Sequence, residues 1–119
     1  MILLDVTIEG LPPTVNHAYR TGRNVRYKTA EAKEFQYQAV LVMDTFRKNN
    51  VPCTGPVGVE IWFTQRDHRP WDVDNRIKIL QDCLAPAGVI KNDKQVCELH
   101  ASREHGDADR THIIVRRLE

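Results

Sequence analysis

The spacing of hydrophobic residues changes several times along the chain, and these changes are the strongest constraint on its fold. Apolar and polar side chains alternate from Ile2 to Ile8 and again from Val57 to Thr64, which predicts two half-buried strands. In the first of them the expected buried side consists of Ile2, Leu4, Val6 and Ile8. Between the two strands the apolar residues take the spacing of one helical face. They are Ala32, Phe35, Ala39, Val42, Met43 and Phe46.

Capping and helix-breaking residues set the limits of these elements. Pro12 and Pro13 end the first strand, because proline cannot donate a hydrogen bond to a β-ladder. Thr29 is a suitable N-cap for the helix, and the helix is expected to end near Asn49 or Asn50. The residues between the two prolines and Thr29 are predicted to form a loop.

The second half of the chain adds a helix and two strands. The helix is predicted from Asn75 to about Ala85, and its buried stripe is Ile77, Leu80 and Leu84. The strands are predicted at 96–101 and 111–115, joined as a hairpin through the turn-rich residues 104–110. The order strand, helix, strand, helix, strand, strand indicates an α+β fold. We expect a single domain over residues 1–119, with helices packed on a mixed sheet.

Length and composition exclude several classes of protein. With 119 residues the chain is large enough for one core and too small for two. It has no apolar run of membrane-spanning length, and its opening residues lack the basic start of a secretion signal. Its three cysteines form no close pairs, which favours a reducing cytoplasm. We expect no membrane partner and no organic cofactor.

The charged residues are nearly balanced in number and unevenly distributed. There are 17 Lys and Arg against 16 Asp and Glu, a net charge of +1, so no general affinity for polyanions is expected. The segment from His17 to Lys28, in contrast, contains no acid. Its basic residues are Arg20, Arg23, Arg26 and Lys28, with Tyr19 and Tyr27 among them. This segment is either a basic arm that binds nucleic acid or an ordinary solvated loop.

A group of acidic residues in the second half of the chain suggests a metal site. Asp72 and Asp74 flank Val73, and in an extended backbone their carboxylates would point to the same side. Asp93 supplies a third acid. Oxygen ligands of this kind suit Mg²⁺, which retains several waters. Lys78 and Asp82 follow Asp74 at steps of four residues, so all three are expected on one helical face, with the lysine between the acids.

These residue types are the ones that phosphodiester hydrolysis needs. Mg²⁺ held by carboxylates can activate water and balance the negative charge of the transition state, and a nearby lysine adds positive charge where negative charge develops. Simpler explanations exist for each residue. Asp72 or Asp74 could cap the helix, and Asp93 could be a turn residue. Asp74, Lys78 and Asp82 could form a surface ion-pair stripe that contributes little.

Two other clusters were considered as functional sites. Asp107 and Asp109 repeat the Asp-x-Asp pattern, but they lie beside Gly106 in the turn-rich connection, where turn formation explains them better. A zinc site would need nitrogen and sulfur ligands. The available ligands are Cys97, His100, His105 and His112, and their spacing matches no standard zinc finger.

The segment RPWDVDNRIKILQDCLAPAGVIKNDKQV, residues 69–96, resembles the RusA family of Holliday junction resolvases. The shared features are Asp-x-Asp-Asn, the lysine four residues after the second aspartate, and the later aspartate shortly before Gln95-Val96. Near the N-terminus, LPPTVNHAYR is similar to the family's loop with two prolines, an asparagine and a tyrosine. The resemblance spans nearly the whole chain.

This resemblance implies a function and a set of site residues. It implies that Asp72, Asp74 and Asp93 bind a catalytic Mg²⁺ and that Lys78 assists at the scissile phosphate. It also implies a homodimer that cuts four-way DNA junctions by paired symmetric nicks during recombination and repair. The implied DNA contacts are Asn16, Tyr19, Arg20, Arg23, Arg26, Lys28 and Arg69, with Arg66 as a further candidate. Trp71 is expected either to stack on an unpaired base or to pack in the interior.

The chain departs from the family pattern at two places. The residues before Asp72 are not densely basic, and Asn92 precedes Asp93 where relatives carry a second acid. These residues leave two alternative functions open. One is a junction-binding module without catalytic activity, and the other is a Mg²⁺ nuclease with broader specificity for branched DNA.

Overall fold

Four strands form one mixed sheet, and two further strands form a separate hairpin. The computed structural model describes residues 1–22, 25–48 and 50–118. In these ranges the strands are β1 (Ile2–Glu9), β2 (Tyr19–Gly22), β3 (Val25–Lys28), β4 (Val57–Gln65), β5 (Val96–His105) and β6 (Arg110–Arg117). The α-helices are α1 (Val15–Ala18), α2 (Ala30–Arg47) and α3 (Ile77–Gln81), and 3₁₀ helices occupy Val73–Arg76 and Asp93–Gln95. Mixed sheet and helices confirm the predicted α+β class.

The strand order of the sheet is β1-β6-β4-β5. β6 is antiparallel to both β1 and β4, whereas β5 is parallel to β4. The predicted hairpin between the last two strands is therefore wrong, because β4 lies between them. Their connection instead passes the end of β4, where the Gly106 N–H donates to the Gln65 carbonyl over 3.0 Å. Residues suited to a tight turn serve here as a loop between strands that are not neighbours.

The core lies on the face of the sheet that α2 and α3 cover. Inward side chains of the central strand, such as Phe63, pack with Met43 of α2 and Leu80 of α3 in one buried cluster. The predicted stripe of α2 is correct in its middle, but Phe46 is 44% exposed. Arg47 instead occupies the buried position at the end of the helix, with 6% exposure.

The first strand contains a bulge that the alternation pattern did not predict. The register with β6 shifts between Ile2 and Leu4. As a result Leu3 is 2% exposed and Ile2 is 46% exposed, the reverse of the expected orientation for Ile2. Because side chains alternate along a strand, one extra residue reverses the side on which the preceding residue lies. Leu4 and Ile8 are buried as predicted.

The predicted start of α2 is confirmed and its predicted end is two to three residues too late. The Thr29 hydroxyl accepts a hydrogen bond from the Ala32 N–H, as expected of an N-cap. The helix ends at Arg47 because Lys48 adopts a left-handed conformation with φ of 50°. Asn49 lies outside the described residues.

The basic segment is a hairpin rather than a loop. Strands β2 and β3 pair in antiparallel register, from Tyr19 opposite Lys28 to Gly22 opposite Val25. The short helix α1 precedes them, and the Thr29 N–H donates to the Ala18 carbonyl over 2.8 Å at their base. The alternation of basic residues with Tyr19, Thr21, Val25 and Tyr27 is compatible with strands and was not used in the prediction. Arg23 and Asn24 lie outside the described residues, as do the side chains of Val25 and Arg26.

The helix predicted from Asn75 to about Ala85 is divided into shorter pieces. A 3₁₀ helix over 73–76 precedes α3, and turns continue to Gly88, which has a φ of 76°. The buried side chains of this segment confirm Leu80 and Leu84, whereas Ile77 is half-buried and Ile79 is fully buried. In the described ranges no helix combines the length and the apolar character needed to cross a membrane.

Substitution of Arg47 tests how the end of α2 is attached to the sheet. Its guanidinium donates to the carbonyls of Leu3, over 3.1 Å, and Val51, over 2.8 Å. We expect Arg47→Met to retain the packing and lower the free energy of unfolding by about 2 to 4 kcal/mol, because two carbonyls lose charged donors. Urea unfolding measures this loss, with Lys33→Met on the exposed side of α2 as control. A loss no larger than that of the control would contradict the assigned role.

The three cysteines are expected to differ in reactivity. Cys53 and Cys83 are buried, and Cys97 is exposed. Burial, with a smaller contribution from the charge of Asp82, raises the pKa of the Cys83 thiol to about 12. At pH 8 an aromatic disulfide reagent should therefore label Cys97 rapidly and the buried thiols only after unfolding. Rapid labelling that persists in Cys97→Ser would show that this assignment is wrong.

Candidate active site

An open cleft of about 340 Å³ lies between α3 and the start of β5, and it contains three acids and one lysine. Asp74, Lys78 and Asp82 come from the 3₁₀ helix, α3 and its C-terminal end, and Asp93 comes from the 3₁₀ helix before β5. The remaining lining residues are Ile77, Gln81 and Leu99. The predicted steps of four residues thus bring Asp74, Lys78 and Asp82 to one cleft. The tertiary fold adds Asp93, which is distant in sequence, to the same cleft.

Asp72 directly precedes the 3₁₀ helix that carries Asp74, and it is not one of the residues that line the cleft. It is exposed and extended, and Val73 already begins the 3₁₀ helix. The expectation of an extended backbone through Asp74 is therefore wrong. Because the backbone changes from extended at Asp72 to helical at Asp74, the two-residue alternation of a strand does not apply to this pair. The assignment of Asp72 as a metal ligand stays a prediction.

The structure removes one of the simpler explanations for these residues, capping by Asp72 or Asp74. It bears out two others, because Asp93 lies in the 3₁₀ turn 93–95 and Lys78 forms an ion pair with Asp82. Asp72 is the N-cap residue of the 3₁₀ helix, yet its side chain makes no capping hydrogen bond. The α-helix α3 starts from Arg76, also without a side-chain cap, so Asp74 does not cap it. The turn before β5 is capped by Asn92 and not by Asp93. The carboxylates of Asp72 and Asp93 therefore have no role in capping these elements.

Hydrogen bonds fix the loop that presents Asp93. The Asn92 side chain accepts from the Lys94 N–H, and the Gln95 side chain accepts from the Asn92 N–H, which forms a capping box. The Gln95 amide also donates to the carbonyls of Cys53, over 2.7 Å, and Gly55, over 2.9 Å. Asp93 is thus exposed, while Asn92 before it and Gln95 after it are fixed by hydrogen bonds.

Trp71, directly before the acidic segment, is held by contacts on several sides. Its indole N–H donates to the Gln65 side chain over 2.8 Å, and its ring packs edge-on against Phe63 at 5.4 Å. The guanidinium of Arg76 lies 4.5 Å from the ring centroid, and Arg103 donates to the Trp71 carbonyl. Of the two expectations for Trp71, these contacts favour packing over stacking on a base.

Two charged residues beside Trp71 have shifted pKa values. Burial lowers the pKa of the Arg76 guanidinium, which also donates to the Pro12 carbonyl. Hydrogen bonds from Gln65 and Arg69 hold the pKa of Asp67 below its usual value. The candidate DNA contact Arg69 pairs with Asp67 at 3.2 Å and remains 87% exposed at its side chain. Its charge is partly compensated before any DNA binds.

The basic hairpin stands next to the helix that carries Lys78. Ala18 at the hairpin base, Ala32 of α2 and Ile79 of α3 form a small buried cluster. Lys28 donates to Gln36 over 2.7 Å, and Gln36 in turn donates to the Ile79 carbonyl over 3.0 Å. The hairpin is thus connected to α3 by packing and by hydrogen bonds.

The candidate DNA contacts differ in how accessible they are. Asn16, Arg20, Arg66 and Tyr27 are exposed, whereas Lys28 and Tyr19 are half-buried. Lys28 already has a partner in Gln36. Arg23 is outside the described residues, and nothing is said of the Arg26 side chain. Arg20 is therefore the clearest exposed cation of the hairpin among the side chains that are described.

The donor set of the cleft fits a hard divalent cation. The acidic residues that line the cleft are aspartates, which offer oxygen ligands. Mg²⁺ is often held by one or two carboxylates together with waters and substrate phosphates. Among the described residues no three His, Cys, Asp or Glu side chains are close enough to form a metal site alone. Asp74 and Asp93 could therefore provide part of a coordination shell that a phosphate and water complete.

The histidines do not form the zinc cluster that was considered from the sequence. His105 stacks on His68 with ring centroids 4.2 Å apart, and its Nε2 lies 2.9 Å from the Arg66 carbonyl oxygen. His112 pairs with Asp5 at 2.7 Å on β1. Cys97 belongs to β5, which β4 separates from β6. These ligands are therefore distributed over different parts of the sheet.

Gln65 and Gln95 had no assigned role in the prediction, and Asp82 had one only as a member of a possible surface ion-pair stripe. Asp82 lines the cleft, Gln95 ties down the Asp93 loop, and Gln65 orients Trp71. The four-residue step from Lys78 was a signal for Asp82. Gln95 stands three residues after Asn92, the spacing of a capping box, and this was a signal for its structural role. Gln65 gave no local signal, because its partner is fixed by the tertiary fold.

Comparison with known proteins agrees with the resemblance noted from the sequence. A crossover junction endodeoxyribonuclease RusA of Aquifex aeolicus (strain VF5) is 38% identical over 48 residues, which cover 40% of this chain and 38% of that relative. The match thus spans less than two thirds of the relative's length. A family model described as endodeoxyribonuclease RusA matches residues 9–116. Because this match runs from the end of β1 to the end of β6, the protein belongs to the RusA endodeoxyribonuclease family.

Proposed function

We propose that the protein is a Mg²⁺-dependent endodeoxyribonuclease that resolves four-way DNA junctions. The observation that carries this proposal is the cleft lined by Asp74, Asp93 and Lys78, in a chain that belongs to the RusA family. The curated relative is named a crossover junction endodeoxyribonuclease, which is consistent with this substrate. Paired symmetric cutting and a role in recombination and repair are part of the proposal.

The residues of the cleft divide the chemistry among them. Asp74 and Asp93, with Asp72 as a third candidate, would hold Mg²⁺ beside the scissile phosphate. When bound, the ion supplies Lewis-acid stabilisation and an activated water. The Lys78 side chain is 63% exposed, so its ammonium can approach a phosphate in the open cleft. There it would balance the negative charge that develops in the transition state. The exposed carboxylates repel DNA until a cation neutralises them.

A homodimer accounts for symmetric cutting. A four-way junction has two equivalent strands to be cut, and a two-fold dimer presents one cleft to each. The hairpin of each subunit, next to α3, would contact phosphates on the arms of the junction. The near-neutral net charge gives no general affinity for DNA, so the proposal depends on the basic residues of the hairpin.

Replacement of the cleft acids tests the catalytic assignment. We expect Asp74→Asn and Asp93→Asn to lower the rate of junction cleavage at least about 100-fold, because each removes a negatively charged ligand of the cation. Junction binding should be unchanged or stronger, since phosphate repulsion decreases. Asp72→Asn is expected to behave in the same way. Gel analysis of an end-labelled junction with Mg²⁺ or EDTA measures cleavage and paired nicking.

The matched control for these variants is Asp107→Asn. Asp107 belongs to the second Asp-x-Asp pair, and its side chain is 88% exposed in an ion pair with Arg110. This variant should cut at the wild-type rate. Normal cutting by Asp74→Asn would contradict the metal site. Binding without any cutting by the wild-type protein would favour the alternative of an inactive junction-binding module.

Removal of a hairpin charge tests the DNA-binding surface. We expect Arg20→Gln to weaken junction binding and to reduce the slope of log affinity against log salt by about 1, as expected for loss of one phosphate contact. Fluorescence anisotropy over a range of salt concentrations measures both effects. Arg116→Gln is the control, because Arg116 lies on β6 and pairs with Glu60 at 2.6 Å. Equal effects of the two substitutions would argue against a specific role of the hairpin.

A further inference from the structure

Asp82 lies in the cleft and is not needed for the proposed cation site. We propose that Asp82 is a positioning residue that holds the ammonium of Lys78 at the place where it meets the scissile phosphate. This inference rests on the proposed function and concerns a residue to which that function assigns no role. The observed contact is an ion pair of 3.3 Å between Lys78 Nζ and Asp82 Oδ1.

The two partners differ in burial, and this difference makes Asp82 the anchor. The Asp82 side chain is 20% exposed, whereas the Lys78 side chain is 63% exposed. The Asp82 backbone is fixed as well, because its N–H donates to the Lys78 carbonyl over 3.0 Å at the end of α3. The short and mostly buried Asp82 side chain therefore has fewer available positions than the long, exposed lysine chain. Their contact restricts the volume that the ammonium explores.

Helix stability does not explain an aspartate at this position. Asp82 is the C-cap residue of α3, and a negative charge is unfavourable at the C-terminal end of a helix. The pair also has its basic residue first, which is the less favourable order at a four-residue step. A pair whose lysine side chain is 63% exposed contributes little to folding. The position of the carboxylate is thus better explained by what it does to the lysine.

The walls of the cleft strengthen the attraction between the two charges. Ile77 and Leu99 line the cleft beside the pair. Apolar walls and partial burial of the acid lower the local dielectric constant, so the attraction is stronger than in bulk water. Asp74 and Asp93 line the same cleft and would also attract the ammonium. Asp82 offers a competing partner that keeps the lysine from occupying the place of the cation.

A double-mutant cycle tests this inference. Single-turnover cleavage of a junction at saturating protein would be compared for wild type, Lys78→Ala, Asp82→Asn and the double variant. We expect Lys78→Ala to lower the rate about 100-fold or more and Asp82→Asn about 10-fold or more. In the Lys78→Ala background, Asp82→Asn should have no further effect, because Asp82 acts through the lysine.

Two further readouts separate positioning from a purely structural role or a metal role. Asp82→Glu keeps the charge and should recover a large part of the rate, while junction affinity and the Mg²⁺ concentration for half-maximal cutting stay unchanged. Glu34→Gln, on the exposed side of α2, is the control for loss of an acid. If Asp82→Asn raised the Mg²⁺ requirement or slowed the Lys78→Ala variant further, Asp82 would be a ligand or a structural residue, and the inference would be overturned.

Failure of this inference and failure of the proposed function give different results. If the wild-type protein did not cut junctions in Mg²⁺, the proposed function would be wrong and the inference with it. If wild type cut and Asp74→Asn did not, but Asp82→Asn cut at the wild-type rate, only the inference would be wrong. Should Asp82→Asn fold poorly by urea unfolding, Asp82→Glu and Asp82→Ser compared in both lysine backgrounds decide the same question.

Discussion

The parallel pairing of β4 with β5 is the constraint on which the position of the acidic cleft depends. Parallel neighbours cannot be joined by a tight turn, so the chain must cross one face of the sheet before it returns as β5. Residues 66–95 make this crossing, and they contain Asp74, Lys78, Asp82 and Asp93. The crossover places Asp74, Lys78 and Asp82 beside the start of β5. Asp93 lies in the 3₁₀ helix just before that strand, so all four residues line one cleft. The cleft is therefore a result of strand topology as well as of helical spacing.

Both ends of this crossover are attached to the sheet, which explains how exposed acids can still be well placed. At the first end Trp71 is bound by Gln65 of β4 and by Arg103 of β5. At the second end Gln95 donates to two carbonyls in the segment before β4. The apolar residues of α3 and the following turns, among them Leu80, fill the core beneath. The acids are thus carried on a backbone fixed from three directions, and no carboxylate has to be buried for this purpose.

The sequence predicts most elements of this fold and only part of their arrangement. The existence of β1 and β4 and the middle of the apolar stripe of α2 follow from local spacing and are confirmed, whereas Ile2 and Phe46 are exposed although burial was expected. The hairpin predicted between β5 and β6 is wrong because turn chemistry at Gly106 describes the local backbone and does not specify which strands pair. The bulge before Leu4 was missed for a related reason, since pairing with β6 fixes it. For the cleft, the step of four from Asp74 predicted a shared face, but the proximity of Asp93 could come only from the family resemblance or the structure.

The capping residues of the cleft show why its acids are available for function. Ser, Thr, Asp and Asn at helix starts are normally occupied by the backbone N–H groups that they cap. Here Asn92 takes that task before β5, and the side chain of Asp72 caps nothing although it holds an N-cap position. Asp82 stands at a helix end where its charge is unfavourable. Residues that break local rules without a structural gain are expected at functional sites. The two departures, at Asp72 and Asp82, occur in one crossover, and this supports the proposed function of the cleft.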